Sequence, residues 1–277
     1  MATADTRQVE IVGLGLMGLS LALALVAAGY VVYGRDRDPA AERFAGERGV
    51  HVGAAPAPAC LVVAVPPDAV AEVVAARGAT LPDGCVVTDL ASVKGPVLPA
   101  LAALEARLRP VSCHPMAGTE QQGPRAARAD LYQGQPWAVV PVPGRPVPWD
   151  VLTPLVAAAG GRPVTVPAAL HDRLVAYTSH LPYVLALALM GTLEQAPKGW
   201  RDLVGPGLVS ATRTAGSPPG LWRQILGANR GAVLEALGAF RREVEAWEQI
   251  LREDPDSLEA RITTLQERRR TWPTRSS

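Results

Sequence analysis

The chain predicts two domains of different class, an open α/β domain built on a parallel sheet followed by an all-helical domain. Three observations carry that prediction. Short apolar runs alternate with helical patterns as far as residue 166. A Gly-x-Gly-x-x-Gly run follows the first of those strands directly. Beyond 166 the strand pattern stops, and apolar residues recur at threes and fours. The expected division is 1–166 and 167–277.

With 277 residues, 48% hydrophobic and 19% charged, the chain has enough apolar material for two cores, which excludes a disordered protein. A formal net charge of +1, with arginines scattered among acids, offers no face for nucleic acid and no charged block for a membrane surface. The expected partners are small molecules. Cys60, Cys85 and Cys113 are odd in number and too far apart for a zinc site or a disulfide framework, so no metal and a reducing cytoplasm are expected. Lysine occurs only at Lys94 and Lys198 in a chain otherwise drifted to arginine, which singles out Lys94.

The uncharged stretch 11–34 is long enough to raise a membrane span or a signal peptide, and its punctuation argues against both. A strand at 9–12 runs into Gly13, Gly15 and Gly18; a helix over 19–28 ends at Gly29; a strand at 30–33 leads to Asp36. This is the frame of a dinucleotide-binding, Rossmann-type unit. Gly13 allows the tight turn, Gly15 lets backbone approach a pyrophosphate, and Gly18 lets the helix pack on the strand. The phosphates then meet the helix N-terminus. Cofactor-binding candidates are Gly13, Leu14, Gly15, Leu16, Met17 and Gly18, with Arg35, Asp36 and Arg37 at the ribose end. Asp36 would accept from ribose hydroxyls and repel a 2′-phosphate, which favours NAD; Arg35 and Arg37 leave NADP open.

The run 60–65 reads as a buried parallel strand that brings Val65, a further cofactor candidate, to the carboxyl edge of the sheet, with a helix over 69–76 behind it. The next strand, 85–88, delivers the loop 89–94 and Ser92 to that edge. After a helix over 97–108, a strand at 110–113 delivers His114 beside Ser92. Ligands bind open α/β sheets along this edge. A histidine fixed between a strand and a Pro/Gly turn has a near-neutral pKa suited to proton transfer, and His114 and Ser92 are the catalytic candidates. A helix N-cap is the structural alternative for Ser92. Strands at 137–140 and 163–166, with a helix over 151–159 between them, close the domain.

In the second half, the apolar run 168–195 reads as a helix carrying Ser179, His180 and Tyr183, with Ser179 and Tyr183 on one face. Pro182 cannot donate to the carbonyl of Thr178 and should kink it. Arg213 before a turn, with Trp222 nine residues on, reads either as a carboxylate clamp with a ring to wall the site or as an ordinary salt bridge. A last long helix shows Leu226, Val233, Leu237, Phe240, Val244, Trp247 and Leu251 in one stripe. Asp254-Pro255 then reads as the N-cap and first turn of a final helix bearing Leu258, Ile262 and Leu265.

Taken in order, these segments resemble the prephenate/arogenate dehydrogenase family over essentially the whole chain. The resemblance rests on the glycine fingerprint at 13–18, the loop 89–94, His114-Pro115-Met116-Ala117-Gly118-Thr119-Glu120, Leu131-Tyr132-x-Gly134, His171-Asp172 with Ser179-His180-Leu181-Pro182, and Thr212-Arg213 followed by Trp222 and Asn229. It implies that NAD (or NADP) takes hydride from the ring carbinol carbon of a cyclohexadienyl acid while the ring carboxylate leaves as CO2. Prephenate would give 4-hydroxyphenylpyruvate for tyrosine biosynthesis; arogenate, or both acids, is the alternative. By resemblance, His114 is the base for the 4-hydroxyl proton, and Ser92 is the partner that hydrogen-bonds His114 or that hydroxyl near the nicotinamide. Arg213 clamps a substrate carboxylate, expected to be the ring one. Ser179, His180, Tyr183 and Trp222 line the substrate pocket. A homodimer through the helical domain is also implied.

Two positions depart from the family pattern, Thr119 where serine is common and Tyr183 where histidine often follows Ser-His-Leu-Pro. With five residues after Trp272, no regulatory domain is expected, and any inhibition by tyrosine should be competitive. A β-hydroxyacid dehydrogenase shares the Gly-Leu-Gly-x-Met-Gly start but needs a helical-domain lysine, for which only Lys198 is present. A non-catalytic NAD(P)-sensing module would need none of His114, Ser92 and Arg213.

Overall fold

The computed structural model describes residues 7–272. Six parallel strands form the first sheet: β1 (Gln8–Val12), β2 (Val31–Arg35), β3 (His51–Val52), β4 (Cys60–Val63), β5 (Val86–Asp89) and β6 (Arg109–Pro110), in the order β3-β2-β1-β4-β5-β6. β4 and β5 are buried along their whole length because helices cover both faces of the sheet. The helices are α1 (Leu16–Ala27), α2 (Pro39–Gly46), α3 (Val70–Gly78) and α4 (Leu98–Ala102). Sequence reasoning passed over α2 and β3. Asp38 caps α2 by accepting the Ala40 N–H at 2.8 Å, with Pro39 in the first turn.

Two expectations for this half are corrected. The helix expected over 97–108 is only the five residues of α4; beyond it the Arg145 guanidinium donates to the Leu104 carbonyl, the one of its acceptors that a helix to 108 would have used internally, and to the carbonyls of Glu105 and Leu108. The strands after residue 111 do not extend the first sheet. β7 (Ser112–Pro115) pairs antiparallel with β8 (Pro136–Val140), which pairs parallel with β9 (Arg162–Thr165), making a second sheet of three strands. The chain passes between sheets at Val111, whose N–H still reaches the Val87 carbonyl at 3.0 Å. Lys94 fills the seam. Its Nζ, wholly buried, donates to Asp89 Oδ1 at 2.7 Å, the Ala91 carbonyl at 2.8 Å and the Cys113 carbonyl at 2.6 Å. Ser112 Oγ donates to the other Asp89 oxygen. The lysine that composition singled out thus fastens the loop carrying Ser92 to the strand carrying His114.

α5 (Trp149–Ala158) joins β8 to β9, and from Ala168 the chain is helical. The run expected as one helix from 168 is α6 (Ala168–Val175), a π-helical turn over Ala176–His180, and α7 (Leu181–Leu193). Leu181 N–H reaches back five residues to the Ala176 carbonyl, so the distortion lies in the turn just before Pro182. α8 (Pro206–Thr212), α9 (Pro219–Ala228), α10 (Arg230–Glu253) and α11 (Leu258–Arg270) follow. The expected last long helix is broken between α9 and α10 at Asn229, whose amide is held elsewhere by Asp172 and His180. Asp254 does not cap α11 with its side chain; Ser257 Oγ donates to its carbonyl instead.

Among the described residues, the α10 stripe is best buried at its start, where Val233 and Ala236 pack with Ala176, Leu181 and Leu237. Phe240, Val244 and Leu251 stay exposed, as do Leu174, Tyr177, Leu187 and Met190 on α6, the π turn and α7. The stretch Ala168–Leu193 is long and apolar enough to cross a membrane by length and composition.

Candidate active site

A cleft of about 1090 Å³ opens between the carboxyl edge of the first sheet, the second sheet and the helical domain. Its floor at the nucleotide end is the glycine loop. Gly13 has φ +100°, and a Cβ there would lie 2.5 Å from the Ala64 carbonyl oxygen. A Cβ on Gly18 would lie 1.8 Å from the Gly13 carbonyl oxygen, so α1 packs against the loop at a distance only glycine allows. Gly15 differs from both: nothing lies within 4 Å of its absent Cβ, and it lines the open cleft at the N-terminus of α1, where no side chain caps the helix. Free N–H groups, a positive helix end and an unobstructed backbone fit a pyrophosphate. Leu16, Met17 and Val65 line the same end. Asp36 follows β2 and accepts the Leu14 N–H at 2.6 Å and the Asp38 N–H at 2.9 Å, which fixes its carboxylate beside the loop. Arg35 and Arg37 are exposed.

This difference among the glycines sets one expectation. Gly15→Ala should leave thermal stability within about 0.5 kcal/mol and weaken dinucleotide binding by about tenfold, because the methyl group stands where a phosphate oxygen approaches. Gly18→Ala should cost about 3 kcal/mol of stability through overpacking against backbone. Thermal denaturation and a cofactor titration of both variants read the two effects separately.

At the other end, His114 is buried to 7% exposure on β7 and lines the cleft. Its hydrogen-bond partner is not Ser92, which sits half-buried across the cleft wall and does not cap α4. The partner is His171 on α6: His114 Nδ1 and His171 Nε2 are 3.0 Å apart, and His171 Nδ1 lies 2.7 Å from Asp172 Oδ1. Asp172 is itself held, since its two oxygens accept the Lys94 N–H at 2.8 Å and the Gly95 N–H at 2.9 Å. Burial alone would raise this carboxyl, but His171 and the two backbone N–H groups outweigh it and hold it below its ordinary value.

The chain fixes the tautomers. The Asp172 carboxylate can only accept, so His171 carries its proton on Nδ1 and presents a lone pair on Nε2. His114 must then donate from Nδ1, which leaves its own Nε2 free to accept a proton. Burial, with the Lys94 ammonium and the other two histidines adding to it, pushes the His114 imidazole well below the ordinary histidine pKa of 6.5. It is therefore neutral at physiological pH, the state a base requires.

His180 is also buried, and its Nδ1 lies 3.1 Å from the Asn229 amide nitrogen, which also donates to the Asp172 carbonyl at 2.7 Å. Burial pushes the His180 pKa down to about 4. Burial holds both imidazoles neutral, so each one's contribution to stability is full above pH 6.5 and declines as pH falls below it, for His180 toward about 4.

Ser179, Tyr183 and Trp222 line the cleft with His180. Tyr183 and Trp222 stack at 3.6 Å between ring centroids with planes 5° apart, and Trp222 meets His180 edge-on at 5.9 Å. Arg213 also faces the cleft and donates to Glu120 at 3.0 Å, with both side chains substantially exposed. Glu120 follows His114 closely in sequence, and its own backbone N–H and Arg213 hold its carboxyl below the usual range. The structure thus gathers every site residue expected from the sequence around one cleft or its glycine loop, apart from the exposed Arg35 and Arg37. It adds His171, Asp172, Asn229, Lys94 and Glu120, to which sequence reasoning gave no role in the site. The adjacent His171-Asp172 pair was the available signal.

Comparison with known proteins agrees with this layout. Residues 21–161 match the family described as prephenate dehydrogenase, nucleotide-binding domain, and residues 167–264 match prephenate dehydrogenase, dimerization domain. The chain is 34% identical over 261 residues to the probable prephenate dehydrogenase NovF of Streptomyces niveus, covering 89% of this chain and 69% of that protein. It is 34% identical over 193 residues to the cyclohexadienyl dehydrogenase of Zymomonas mobilis, covering 65% of this chain and 63% of that one. The crystal structure of prephenate dehydrogenase from A. aeolicus with hydroxyphenyl propionate and NAD+ superposes with a TM-score of 0.84 at 27% identity, covering 97% of this chain and 99% of that one. On its sequence, its fold and the arrangement of its cleft, the chain belongs to the prephenate dehydrogenase family.

Proposed function

We propose that this protein is an NAD-dependent prephenate dehydrogenase, converting prephenate to 4-hydroxyphenylpyruvate and CO2. The observation that carries the reading is the Asp172–His171–His114 chain ending on a free Nε2 inside a cleft that also holds a nucleotide-binding loop. Bound oxidised nicotinamide supplies the hydride acceptor. His114 accepts the 4-hydroxyl proton at Nε2, and the positive charge it gains is shared with His171 and balanced by Asp172. Ser92 faces the same space and can hydrogen-bond the hydroxyl. Arg213 leaves Glu120 to bind the ring carboxylate, holding it until the ring becomes aromatic and CO2 departs. In this reading residues 1–166 hold the cofactor, residues 167–277 supply substrate and dimer contacts, and the protein works in the cytoplasm. Asp36 beside the glycine loop favours NAD over NADP.

A second substrate reading has its own observation. Tyr183, buried against Trp222 with the rings stacked, adds a neutral phenol to the cleft wall, where a histidine would present a cationic or donor nitrogen. That wall also suits arogenate, whose side chain carries an ammonium. A β-hydroxyacid substrate has less support, since Lys198 lies exposed and outside the cleft. Initial rates of reduced-nicotinamide formation with prephenate or arogenate, each with NAD+ or NADP+, test the assignment. The highest kcat/KM is expected for prephenate with NAD+, and a higher value for arogenate would replace prephenate as the substrate.

The same reading makes the protein a homodimer. Its support is the match of residues 167–264 to a dimerization domain and the uncovered apolar residues of α6, α7 and α10. A second copy would cover the faces of Ala168–Leu193 that otherwise pass for a membrane span. Light scattering is expected to give twice the chain mass in detergent-free buffer. A monomer with full activity, or recovery only with membranes, would contradict it.

A further inference from the structure

Prephenate and arogenate each carry two carboxylates, one on the ring and one on the side chain. The cleft must hold both, and Arg213 accounts for one. The position in the helical domain where a second cation could stand is Tyr183, stacked flat on Trp222 and without charge. His180 beside it, with a pKa near 4, is neutral as well. Lys94 is buried and spent on Asp89 and two carbonyls. One other cation lines the cleft among the described residues, Arg162 at the start of β9.

The register of the second sheet fixes where Arg162 stands. His114 lies opposite Ala138, and Pro136 lies opposite Arg162. Residues in register share a face, and so do residues two apart along a strand, so Arg162 projects from the same face as His114. Two strand spacings and two residues along the strand separate their Cα atoms by about 12 Å. The substrate's ring, with its 4-hydroxyl at His114 and its side chain at the opposite end, together with an extended arginine spans that gap. Arg162 is exposed, and no carboxylate among the described residues pairs with it. Arg213, by contrast, already has Glu120. An unpaired guanidinium facing the cleft keeps its two-pronged donor geometry for an incoming carboxylate.

We propose that Arg162 is the second anion-binding group of this cleft and takes the carboxylate on the substrate's side chain. Arg213 and Arg162 then grip the substrate at two points, orienting the ring so that the 4-hydroxyl meets His114. The assignment rests on the cyclohexadienyl-acid reading of the site and holds for either acid, since both keep this carboxylate.

The test uses 4-hydroxyphenylpyruvate, which keeps the side-chain carboxylate and lacks the ring one. Arg162→Gln is expected to weaken its binding about tenfold or more by direct titration of the NAD+-loaded protein, and to raise KM for prephenate similarly, with a smaller change in kcat. Arg162→Lys should recover part of the loss. Arg213→Gln, which removes the partner of the missing ring carboxylate, should raise KM for prephenate but change the 4-hydroxyphenylpyruvate affinity much less. Equal affinities of wild type and Arg162→Gln for 4-hydroxyphenylpyruvate would overturn the proposal and return Arg162 to the solvated surface. An equal loss of NAD+ affinity would also overturn it, by placing Arg162 on the dinucleotide. The titration needs no turnover, so failure of the wild type to oxidise either acid tests the reaction reading separately.

Discussion

His114→Asn is expected to lower kcat by about 1,000-fold, within the range a positioned general base contributes, while the dissociation constant for NAD+ stays unchanged. Asparagine can still donate to His171 from its amide, so the fold around β7 keeps its hydrogen bond while the cleft loses its proton acceptor. The pH dependence follows from the same residue. Burial, with Lys94 and the neighbouring histidines, holds the imidazole well below 6.5, so the base remains neutral as pH falls through 6.5. The acid limb of kcat for the wild type should therefore lie below pH 6.5 and be absent from the residual rate of the variant. Near-normal turnover by His114→Asn would remove His114 from the role of base.

The second large effect is expected at Asp172, which does not line the cleft. Asp172→Asn should reduce kcat by about 100-fold with little change in KM for NAD+. The carboxylate accepts from His171 Nδ1 and from two backbone N–H groups, and an amide cannot accept on both of its ends. Either His171 turns its lone pair away from His114, or the loop at Lys94 and Gly95 loses a hydrogen bond. In the first case His114 keeps its proton on Nε2 and cannot serve as base. Asp172→Glu, which keeps the acceptor but lengthens the arm, should recover part of the rate, and a merely structural role would show as a lowered thermal midpoint with kcat preserved. Unchanged kcat in Asp172→Asn would show that the relay does not set the tautomer of His114.

What could be read from the sequence follows the range of the interactions involved. The glycine loop was legible because its three constraints act within six residues and against the strand beside it. His114 was legible as the residue a buried strand delivers to the ligand-binding edge. Its partner was not, because His171 lies 57 positions away and on another domain, and a His-Asp pair opening a helix reads equally well as surface. The Lys94 backbone N–H meets Asp172 across 78 positions, so composition could single out the lysine without showing what its loop touches. Helix length failed at 97–108, where the Leu104 carbonyl that would accept the Leu108 N–H is bound by Arg145, 41 residues on. The second sheet escaped notice because β7 continues β6 after one residue, and pattern alone cannot show a strand changing partners. The π turn fell close to where Pro182 foretold a distortion, since a missing N–H is a local fact.

One event at this cleft is expected to remove hydride and CO2 from the same substrate molecule. The most direct measurement is the ratio of reduced nicotinamide formed to CO2 released when the wild-type protein acts on prephenate with NAD+. Equal amounts are expected, appearing together, with 4-hydroxyphenylpyruvate as the organic product. Reduced nicotinamide without CO2 would mean simple alcohol oxidation, CO2 without reduced nicotinamide would mean decarboxylation that bypasses the cofactor, and either would contradict that expectation.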